Sequence, residues 1–261
     1  MKVIVYHSYK GGTGKTTIAV NTAVNFARKG FKTLAIDADI KAPTFESIFK
    51  DIKPQHRFND YFETEKLKEN VQIKDLPVAS KIDDNLDLIF ADPEPVFGEG
   101  LLSMDKSFHA KVLKKLVEIK NDFEKMGYEY IIMDTSPSLN LASINALIIA
   151  NAAILVLRPN SYGIKGTSFL LENIYSMLGT LDRKDFLLFN QVVPNTEKKI
   201  MDKWIKQFVK KFKVETIGMI PCNCQIALKM LHGEIIVQKE DDESFVNILD
   251  KIINNLIKEL S

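Results

Sequence analysis

The stretch at residues 8–17, Ser-Tyr-Lys-Gly-Gly-Thr-Gly-Lys-Thr-Thr, constrains this chain most, because it places three glycines and two lysines in ten residues. An apolar run at residues 3–6 precedes it and predicts a buried strand. A helical pattern over residues 16–29 follows and ends at Gly30, a residue that commonly terminates helices. Backbone N–H groups in such a loop, together with the helix N-terminus, bind phosphate. The sequence therefore predicts a phosphate-binding loop.

The residue types in this loop predict distinct roles. Lys15 is placed to contact the β- and γ-phosphates of a nucleotide, and the Thr16 hydroxyl is placed to bind Mg²⁺. The glycines allow the backbone to curve around phosphate oxygens. The predicted nucleotide-binding set is Lys10, Gly11, Gly12, Thr13, Gly14, Lys15, Thr16 and Thr17.

Composition sets the broad class. The 261 residues are 46% apolar and 26% charged, which is typical of a globular protein, and we expect one domain over residues 1–261. The net charge of +1 excludes a chain that is basic throughout, so any attraction to nucleic acid or lipid must come from a local patch. The start of the chain lacks the features of a signal peptide, and two cysteines form no disulfide framework, so we expect a cytoplasmic protein.

Apolar runs alternate with amphipathic helical patterns along the chain, which predicts an α/β fold with a mostly parallel, twisted sheet flanked by helices on both faces. Residues 50–105 carry a weak pattern, apart from a short helix predicted at 58–62. The other predicted strands are 33–36, 86–90, 130–133, 154–157, 186–189 and 216–220, and the other predicted helices are 106–125, 165–178, 197–212 and 244–260.

Acidic residues follow two of these strands. Asp37 and Asp39 end the second strand, and Asp134 ends the strand at 130–133. The carboxyl ends of parallel strands meet at one edge of a sheet, where a carboxylate can hold a magnesium-bound water or orient a water that attacks the γ-phosphate. An alternative for the first pair is that the two carboxylates cap the next helix.

Three motifs carry a family resemblance. The loop reads K-G-G-x-G-K-T, with Lys10 as an added lysine and Tyr9 where the general pattern has glycine. It resembles the deviant Walker A motif (residues 9–17) of the ParA/MinD family of P-loop ATPases. The segment 37–45 is similar to that family's switch I, and 130–140 to its Walker B motif and switch II. Ser136 stands where proline is commoner, and residues 40–43 differ from the Pro-Gln common in partition ATPases.

The resemblance implies a P-loop NTPase fold, ATP and Mg²⁺ as ligands, and a homodimer that forms with ATP. It implies that Lys10, Lys15 and Asp39 are catalytic, with Lys10 reaching phosphates across the dimer and Asp39 beside the attacking water. The magnesium site would be formed by Thr16, Asp39 and Asp134. Asn190 and Pro221 would line an adenine pocket near residues 190 and 220–224, although an asparagine at a strand end is by itself usually a turn residue.

Lysines dominate the predicted helix at 197–212, and two interpretations of them stay open. Its apolar residues, Ile200, Trp204, Ile205, Phe208, Val209 and Phe212, recur at helical spacing and should face the core. The opposite face would then be either an ordinary solvated surface or a surface for DNA phosphates. The family favours non-specific DNA binding, with Lys199, Lys203, Lys206 and Lys210 as candidates.

The implied function is an ATPase switch for DNA segregation or cargo positioning, with a ParB-like or other stimulating partner. The implied location is the cytoplasm, with association with the nucleoid as an open option. Two alternatives remain open. A MinD-like protein attaches to membranes through a C-terminal helix, but the polar face at residues 244–260 has mixed charge, so we expect a packing helix without membrane attachment. A metal-cluster carrier would use Cys222 and Cys224, although a C-x-C pair alone is a weak signal.

Overall fold

The computed structural model describes residues 1–62, 71–92, 106–138, 140–178, 182–196, 198–238 and 243–261. Their centre is an eight-stranded sheet in the order β3-β4-β2-β5-β1-β6-β7-β8, in which only the β3–β4 pair is antiparallel. The mostly parallel α/β sheet predicted from the sequence is therefore confirmed. The strands are β1 (Lys2–His7), β2 (Thr33–Ala38), β3 (Val78–Ala79), β4 (Leu86–Ile89), β5 (Tyr130–Thr135), β6 (Ala152–Leu157), β7 (Lys184–Val192) and β8 (Glu215–Pro221).

Helices connect these strands, as parallel pairing requires. A single π-helical turn, Leu171–Tyr175, continues the sixth helix, and short 3₁₀ turns occur at Ile73–Asp75 and Ile236–Gln238. The α-helices are α1 (Lys15–Arg28), α2 (Phe45–Ile48), α3 (Phe58–Phe62), α4 (Lys106–Lys125), α5 (Leu141–Ile149), α6 (Ser161–Leu170), α7 (Lys198–Phe212), α8 (Cys224–Leu231) and α9 (Glu243–Leu260).

The sheet has an apolar core on each face, because alternate residues of a strand point to opposite sides. In β1, Ile4 and Tyr6 pack into one core, and Val3 and Val5 pack into the other. Helices α1 and α9 cover the first face, and α4, α5, α6 and α7 cover the second. The prediction of helices on both faces is confirmed.

Most predicted elements occur close to their predicted bounds, and α3 and α4 match them. Helix α6 begins earlier than expected, at Ser161, because Asn160 caps it by accepting a hydrogen bond from the Gly163 N–H at 2.8 Å. Helix α5 was not predicted, since its sequence is apolar on nearly all sides and shows no amphipathic period. Position 197, the predicted start of α7, lies outside the described residues.

The prediction for the apolar face of α7 is partly wrong. Ile200 and Val209 are 39% and 43% exposed, whereas Phe208 is fully buried. Met201, which was not predicted, is buried at 6% exposure. Met201 and Phe208 are seven residues apart and therefore lie on one line along the helix, which leaves Ile200 and Val209 to the side of the buried stripe.

Helix α9 packs against the sheet as predicted. Its apolar face is buried, and the residues that form it are Phe245, Leu249, Ile252, Ile253, Leu256 and Leu260. These residues belong to the same apolar core as Ala23 and Phe26 of α1. Among the helices that the structure describes, none combines the length and apolar character needed to cross a membrane.

Candidate functional site

Three loops meet at the carboxyl edge of the sheet, because β2, β5 and β1 are neighbours in that order. Asp134 of β5 is level with Tyr6 of β1 and with Asp37 of β2. The glycine-rich loop after β1 and the acidic segments after β2 and β5 therefore open on one crevice. In parallel α/β sheets this crevice is where ligands bind.

The glycine-rich loop has its own strict backbone requirements. Gly12 and Gly14 have φ values of 72° and 85°, in the left-handed region that glycine adopts without strain. A Cβ atom at Gly14 would also lie 2.3 Å from Asn190 Nδ2. That nitrogen donates a hydrogen bond to the Thr13 carbonyl at 2.7 Å, so Asn190 of β7 ties the loop to the sheet. Only glycine satisfies both requirements at position 14.

Tyr9 departs from the general loop pattern, and the structure shows how it is accommodated. Its ring packs on Gly166 of α6, where a Cβ atom would lie 2.0 Å from the ring. The edge of Phe169 also contacts it, with ring centroids 6.1 Å apart. A glycine in a facing helix thus provides the space that a tyrosine in the loop requires.

Lys15 and Asp134 form a buried ion pair at the centre of the crevice. Their Nζ and Oδ1 atoms are 2.5 Å apart, and the side chains are 6% and 0% exposed. Burial raises the pKa of the Asp134 carboxyl, and the Lys15 ammonium and the Thr16 hydroxyl, which hydrogen-bonds to the same carboxylate, oppose that rise. The pair is stable in the interior because each charge compensates the other.

The second oxygen of Asp134 indicates where a cation fits. Asp134 Oδ2 is buried and has no hydrogen-bond partner within the described part of the chain. A buried carboxylate oxygen without a partner is costly, and Mg²⁺ prefers oxygen ligands of this kind. With the Thr16 hydroxyl beside it, the residues present fit a magnesium site.

The two aspartates after β2 have different environments. Asp37 is fully buried, and its carboxylate accepts backbone N–H groups from Asp39, Thr44 and Phe45 at 3.1, 2.8 and 3.0 Å. Burial, reinforced by the charge of Asp134, raises the pKa of Asp37 to about 7. The capping alternative therefore applies to Asp37, which holds the segment 37–45 and the start of α2 in place.

Asp39 is instead linked to the loop after β5. Its Oδ1 accepts a hydrogen bond from the Ser136 hydroxyl at 2.6 Å and one from the Ala42 N–H at 3.2 Å. The side chain is buried, at 7% exposure. Asp39 and Asp134 are close enough for the charge of Asp39 to raise the pKa of Asp134. The structure thus brings Thr16, Asp39 and Asp134 together, as the motifs predicted.

His7 belongs to this region, although it was not among the site residues predicted from the sequence. It is 1% exposed, and burial lowers its pKa to about 4, so the ring is neutral. Its Nε2 lies 3.0 Å from the Ser138 carbonyl, which can only accept, so Nε2 carries the proton. Nδ1 then accepts from the Tyr175 hydroxyl at 3.2 Å. His7 joins the loop after β5 to the helix layer, and a polar residue at a buried strand end is the signal that could have found it.

Lys10 is not part of the Lys15 cluster in this chain. It is exposed, and its ammonium lies 5.3 Å from the ring centroid of Tyr162, a cation–π contact. Both residues line a cavity of about 250 Å³ between the glycine-rich loop and the start of α6, which also includes Arg158 and Asn160. The two lysines of the loop therefore have different environments.

The segments predicted for the adenine pocket are adjacent. Val192 at the end of β7 pairs with Pro221 at the end of β8, and the Cys222 N–H donates to the Val192 carbonyl at 2.7 Å. Asn190 is buried and Pro221 is exposed. Cys222 and Cys224 are exposed free thiols, and no group of three His, Cys, Asp or Glu residues in the described ranges could hold a metal ion.

The candidate DNA-binding lysines lie on α7, away from this crevice. All four are exposed, and among the described residues none of them forms an ion pair; they are Lys199, Lys203, Lys206 and Lys210. The neighbouring Lys211 does form one, with Glu172. The structure therefore shows a row of solvent-facing ammonium groups beside the exposed Ile200 and Val209.

A parallel sheet with a glycine-rich loop, a loop lysine and a facing strand-end aspartate defines a P-loop nucleotide-binding protein. Residues 1–188 match the family model described as an AAA domain. An uncharacterised protein of Methanocaldococcus jannaschii is 32% identical over 231 residues, which cover 85% of each chain. The virulence plasmid ParA family protein pGP5-D of Chlamydia psittaci is 29% identical over 183 residues, which cover 70% of this chain and 66% of the relative.

Solved structures agree with this assignment. The MinC:MinD cell division protein complex of Aquifex aeolicus has a TM-score of 0.76 at 24% identity, over 99% of this chain and 96% of that one. The septum site-determining protein MinD complexed with Mg-ADP from Pyrococcus horikoshii has a TM-score of 0.74 at 19% identity, over 98% and 95%. This chain belongs to the ParA/MinD family of P-loop ATPases.

Proposed function

We propose that this chain is a dimerising ATPase switch that hydrolyses ATP to ADP and phosphate and thereby drives DNA segregation or intracellular cargo positioning. The observation that carries the proposal is the buried contact of Lys15 with Asp134 at 2.5 Å, with Asp39 hydrogen-bonded into the same loop. One crevice thus contains a lysine that can neutralise phosphate, a carboxylate that can hold Mg²⁺ and a second carboxylate. These are the groups that phosphoryl transfer to water needs.

Nucleotide binding follows from the loop. Its N–H groups and the start of α1 would surround the β- and γ-phosphates, and the Lys15 ammonium would neutralise them. Thr16 and Asp134 would hold Mg²⁺, which when bound offsets phosphate charge. Asn190 and the segment 220–224 would contact adenine, which is supported by the pairing of β7 with β8. The Mg-ADP in the Pyrococcus horikoshii MinD supports this pair of ligands.

Hydrolysis would depend on Asp39 and Lys10. Asp39 lies beside Asp134 and would orient the attacking water. Lys10 is exposed on the rim of the crevice and would reach the phosphates of a second protomer, which would make the ATP-bound dimer the hydrolytic state. A ParB-like or other partner protein would stimulate the reaction by acting on this dimer.

The surface bound by the dimer would be DNA. The net charge of the chain is only +1, so the four exposed lysines of α7 form a local cationic patch that a dimer would present twice. Each phosphate contact should add a slope of about −0.9 to the dependence of log K on log salt. Phosphates carry no sequence information, so the binding should be non-specific.

A membrane surface is the second candidate, because Ile200 and Val209 are exposed beside the lysines. Exposed apolar residues flanked by lysines are also typical of helices that lie in a lipid interface. Against this, the apolar face of α9 is buried in the core and offers no lipid contact. DNA therefore has the stronger support.

The experiment compares binding of the ATP-loaded protein to duplex DNA and to anionic liposomes. Lys203→Glu/Lys210→Glu should reduce DNA binding at least about tenfold at low salt, because two ammonium groups per protomer become carboxylates. Lys251→Glu/Lys258→Glu is the matched control, since it changes two exposed lysines at the same spacing on α9, across the sheet. Equal DNA binding by both variants, or liposome binding without DNA binding, would reject the DNA proposal.

A further inference from the structure

We propose that Ser136 is a positioning residue for ATP hydrolysis, whose hydroxyl holds the Asp39 carboxylate in the orientation from which it directs the attacking water. The proposal rests on the proposed function, because Asp39 must orient water for its own orientation to matter. Ser136 acts through Asp39 and not on the nucleotide. Proline, which is commoner at this position in the family, has no hydroxyl and could not make this contact.

The contact is short and protected from water. Ser136 Oγ donates to Asp39 Oδ1 at 2.6 Å, a distance typical of a hydroxyl that donates to a carboxylate. Ser136 is 1% exposed and Asp39 is 7% exposed, so solvent competes little for either group. The hydrogen bonds that the described residues give to this carboxylate, from Ser136 and the Ala42 N–H, both end on Oδ1. Oδ2 is the oxygen left to accept from a water.

Ser136 is itself fixed from both sides. Its carbonyl accepts a hydrogen bond from the Ser143 hydroxyl of α5 at 3.0 Å. The preceding Thr135 donates its hydroxyl to the Tyr6 carbonyl of β1 at 2.8 Å, and the Ser138 N–H donates to the Ser8 carbonyl at 2.8 Å. Because β1 leads directly into the glycine-rich loop, these contacts set the place of the Ser136 hydroxyl relative to that loop, where the phosphates are proposed to bind.

The same short loop therefore carries two functions. Asp134 lies two residues before Ser136 and is placed to hold the magnesium shell, while Ser136 orients the water-directing carboxylate. A shift of the loop would move both groups together. Without the hydroxyl, the Asp39 carboxylate could rotate about its side-chain bonds, and misplacement of a catalytic group by about 1 Å can cost about 100-fold in rate.

The test uses the full chain and the variant Ser136→Ala. We expect kcat for ATP hydrolysis to fall about 10-fold to 100-fold, the effect of losing one hydrogen bond to a carboxylate. The KM for ATP should stay unchanged, because the Ser136 hydroxyl bonds to Asp39, whose proposed role is to orient the attacking water and not to bind ATP. Ser136→Thr retains a hydroxyl and should restore most of the lost activity.

Ser80→Ala is the matched control. Ser80 is a buried serine, at 2% exposure, whose hydroxyl accepts backbone N–H groups in the turn between β3 and β4, at the opposite edge of the sheet. It should keep the wild-type kcat.

In an Asp39→Ala background, Ser136→Ala should cause no further loss of activity, whereas general damage to the loop would add to the first loss.

The outcomes separate this proposal from the proposed function. If the wild type hydrolyses ATP and Ser136→Ala matches its kcat, the positioning role is wrong and the ATPase proposal stands. A Ser136→Ala variant that loses ATP affinity along with kcat would also overturn it, because that pattern indicates a structural role. If the wild type fails to hydrolyse ATP with Mg²⁺ and DNA present, the proposed function and this proposal both fail. If Ser136→Thr does not fold, the two alanine variants decide the question.

Discussion

The crevice at the carboxyl edge of the sheet and the lysines at the surface differ in how their side chains are held. In the crevice, Asp37, Asp39 and Asp134 are each fixed by hydrogen bonds or an ion pair and are at most 7% exposed. Lys10 and the lysines of α7 are exposed, and the Lys10 ammonium lies over the ring of Tyr162. The buried groups set geometry within one chain, and the exposed ammonium groups are available to another molecule.

This difference predicts two kinds of variant. Substitution of an exposed lysine should cost activity or binding while stability changes by less than about 0.5 kcal/mol, since no buried group loses a partner. Substitution of a buried, fixed carboxylate should cost stability as well, because its donors would be left without an acceptor.

The largest effect is expected for Lys10→Ala. A cation supplied by the partner protomer can be worth about 1,000-fold or more in hydrolysis, so the variant should lose ATPase activity and ATP-dependent dimerisation. ATP binding should persist, because Lys15 and the loop backbone remain. ATPase assays, nucleotide titration and light scattering would measure these three properties.

Lys165→Ala changes another exposed lysine, on the helix that carries Tyr162, and serves as the control. It should keep wild-type activity, and both variants should unfold at the wild-type urea midpoint. A Lys10→Ala protein that dimerises and hydrolyses ATP normally would remove the basis for a role across the dimer. A large loss of stability in Lys10→Ala would instead contradict the expectation that exposed lysines contribute little to stability.

A matched pair, Asp37→Ala and Asp39→Ala, tests the fixed region. Asp37→Ala leaves three backbone N–H groups without their acceptor and should lower the free energy of unfolding by about 3 kcal/mol or more. Asp39→Ala should lower the free energy of unfolding less, but should reduce hydrolysis to a residual rate and accumulate as an ATP-bound dimer. Urea unfolding and sedimentation with ATP measure the two effects. A monomeric Asp39→Ala protein with ATP bound would reject the role of Asp39.

The strands, helices and motifs at the carboxyl edge of the sheet were predicted well from the sequence, because they depend on local patterns. The apolar runs fixed most strands, and the glycine spacing fixed the loop before α1. Asp37 and Asp39 could not be told apart from their spacing, since only the path of residues 39–45 decides which carboxylate receives the N–H groups.

The contacts that the sequence did not predict join residues far apart in the chain. Tyr9 and Gly166 depend on each other, and His7 is joined to Ser138 and Tyr175. No local period marks such pairs, because they arise from how strands and helices pack. The departure at Ser136 was visible as an unusual residue, but its partner became clear only from the fold.

The free energy of unfolding should depend on pH through His7. Burial lowers the pKa of His7 to about 4 from the 6.5 of a free histidine, so between these values the unfolded chain binds a proton that the folded chain does not. Stability contributed by His7 is therefore full above about pH 6.5 and is lost as the pH falls toward 4. His7→Gln should remove a decrease of about 1.5 kcal/mol between pH 6.5 and about pH 5.

Asp37 contributes with the opposite sign, because a raised pKa gives stability that is lost as the pH rises toward about 7. Wild type and His7→Gln both contain Asp37, so the difference between their pH profiles isolates the contribution of His7. His232→Gln changes an exposed histidine and should retain the wild-type profile. Urea unfolding across this pH range supplies the measurement. If His7→Gln and wild type lose stability in parallel on acidification, then His7 is not held neutral in the folded chain.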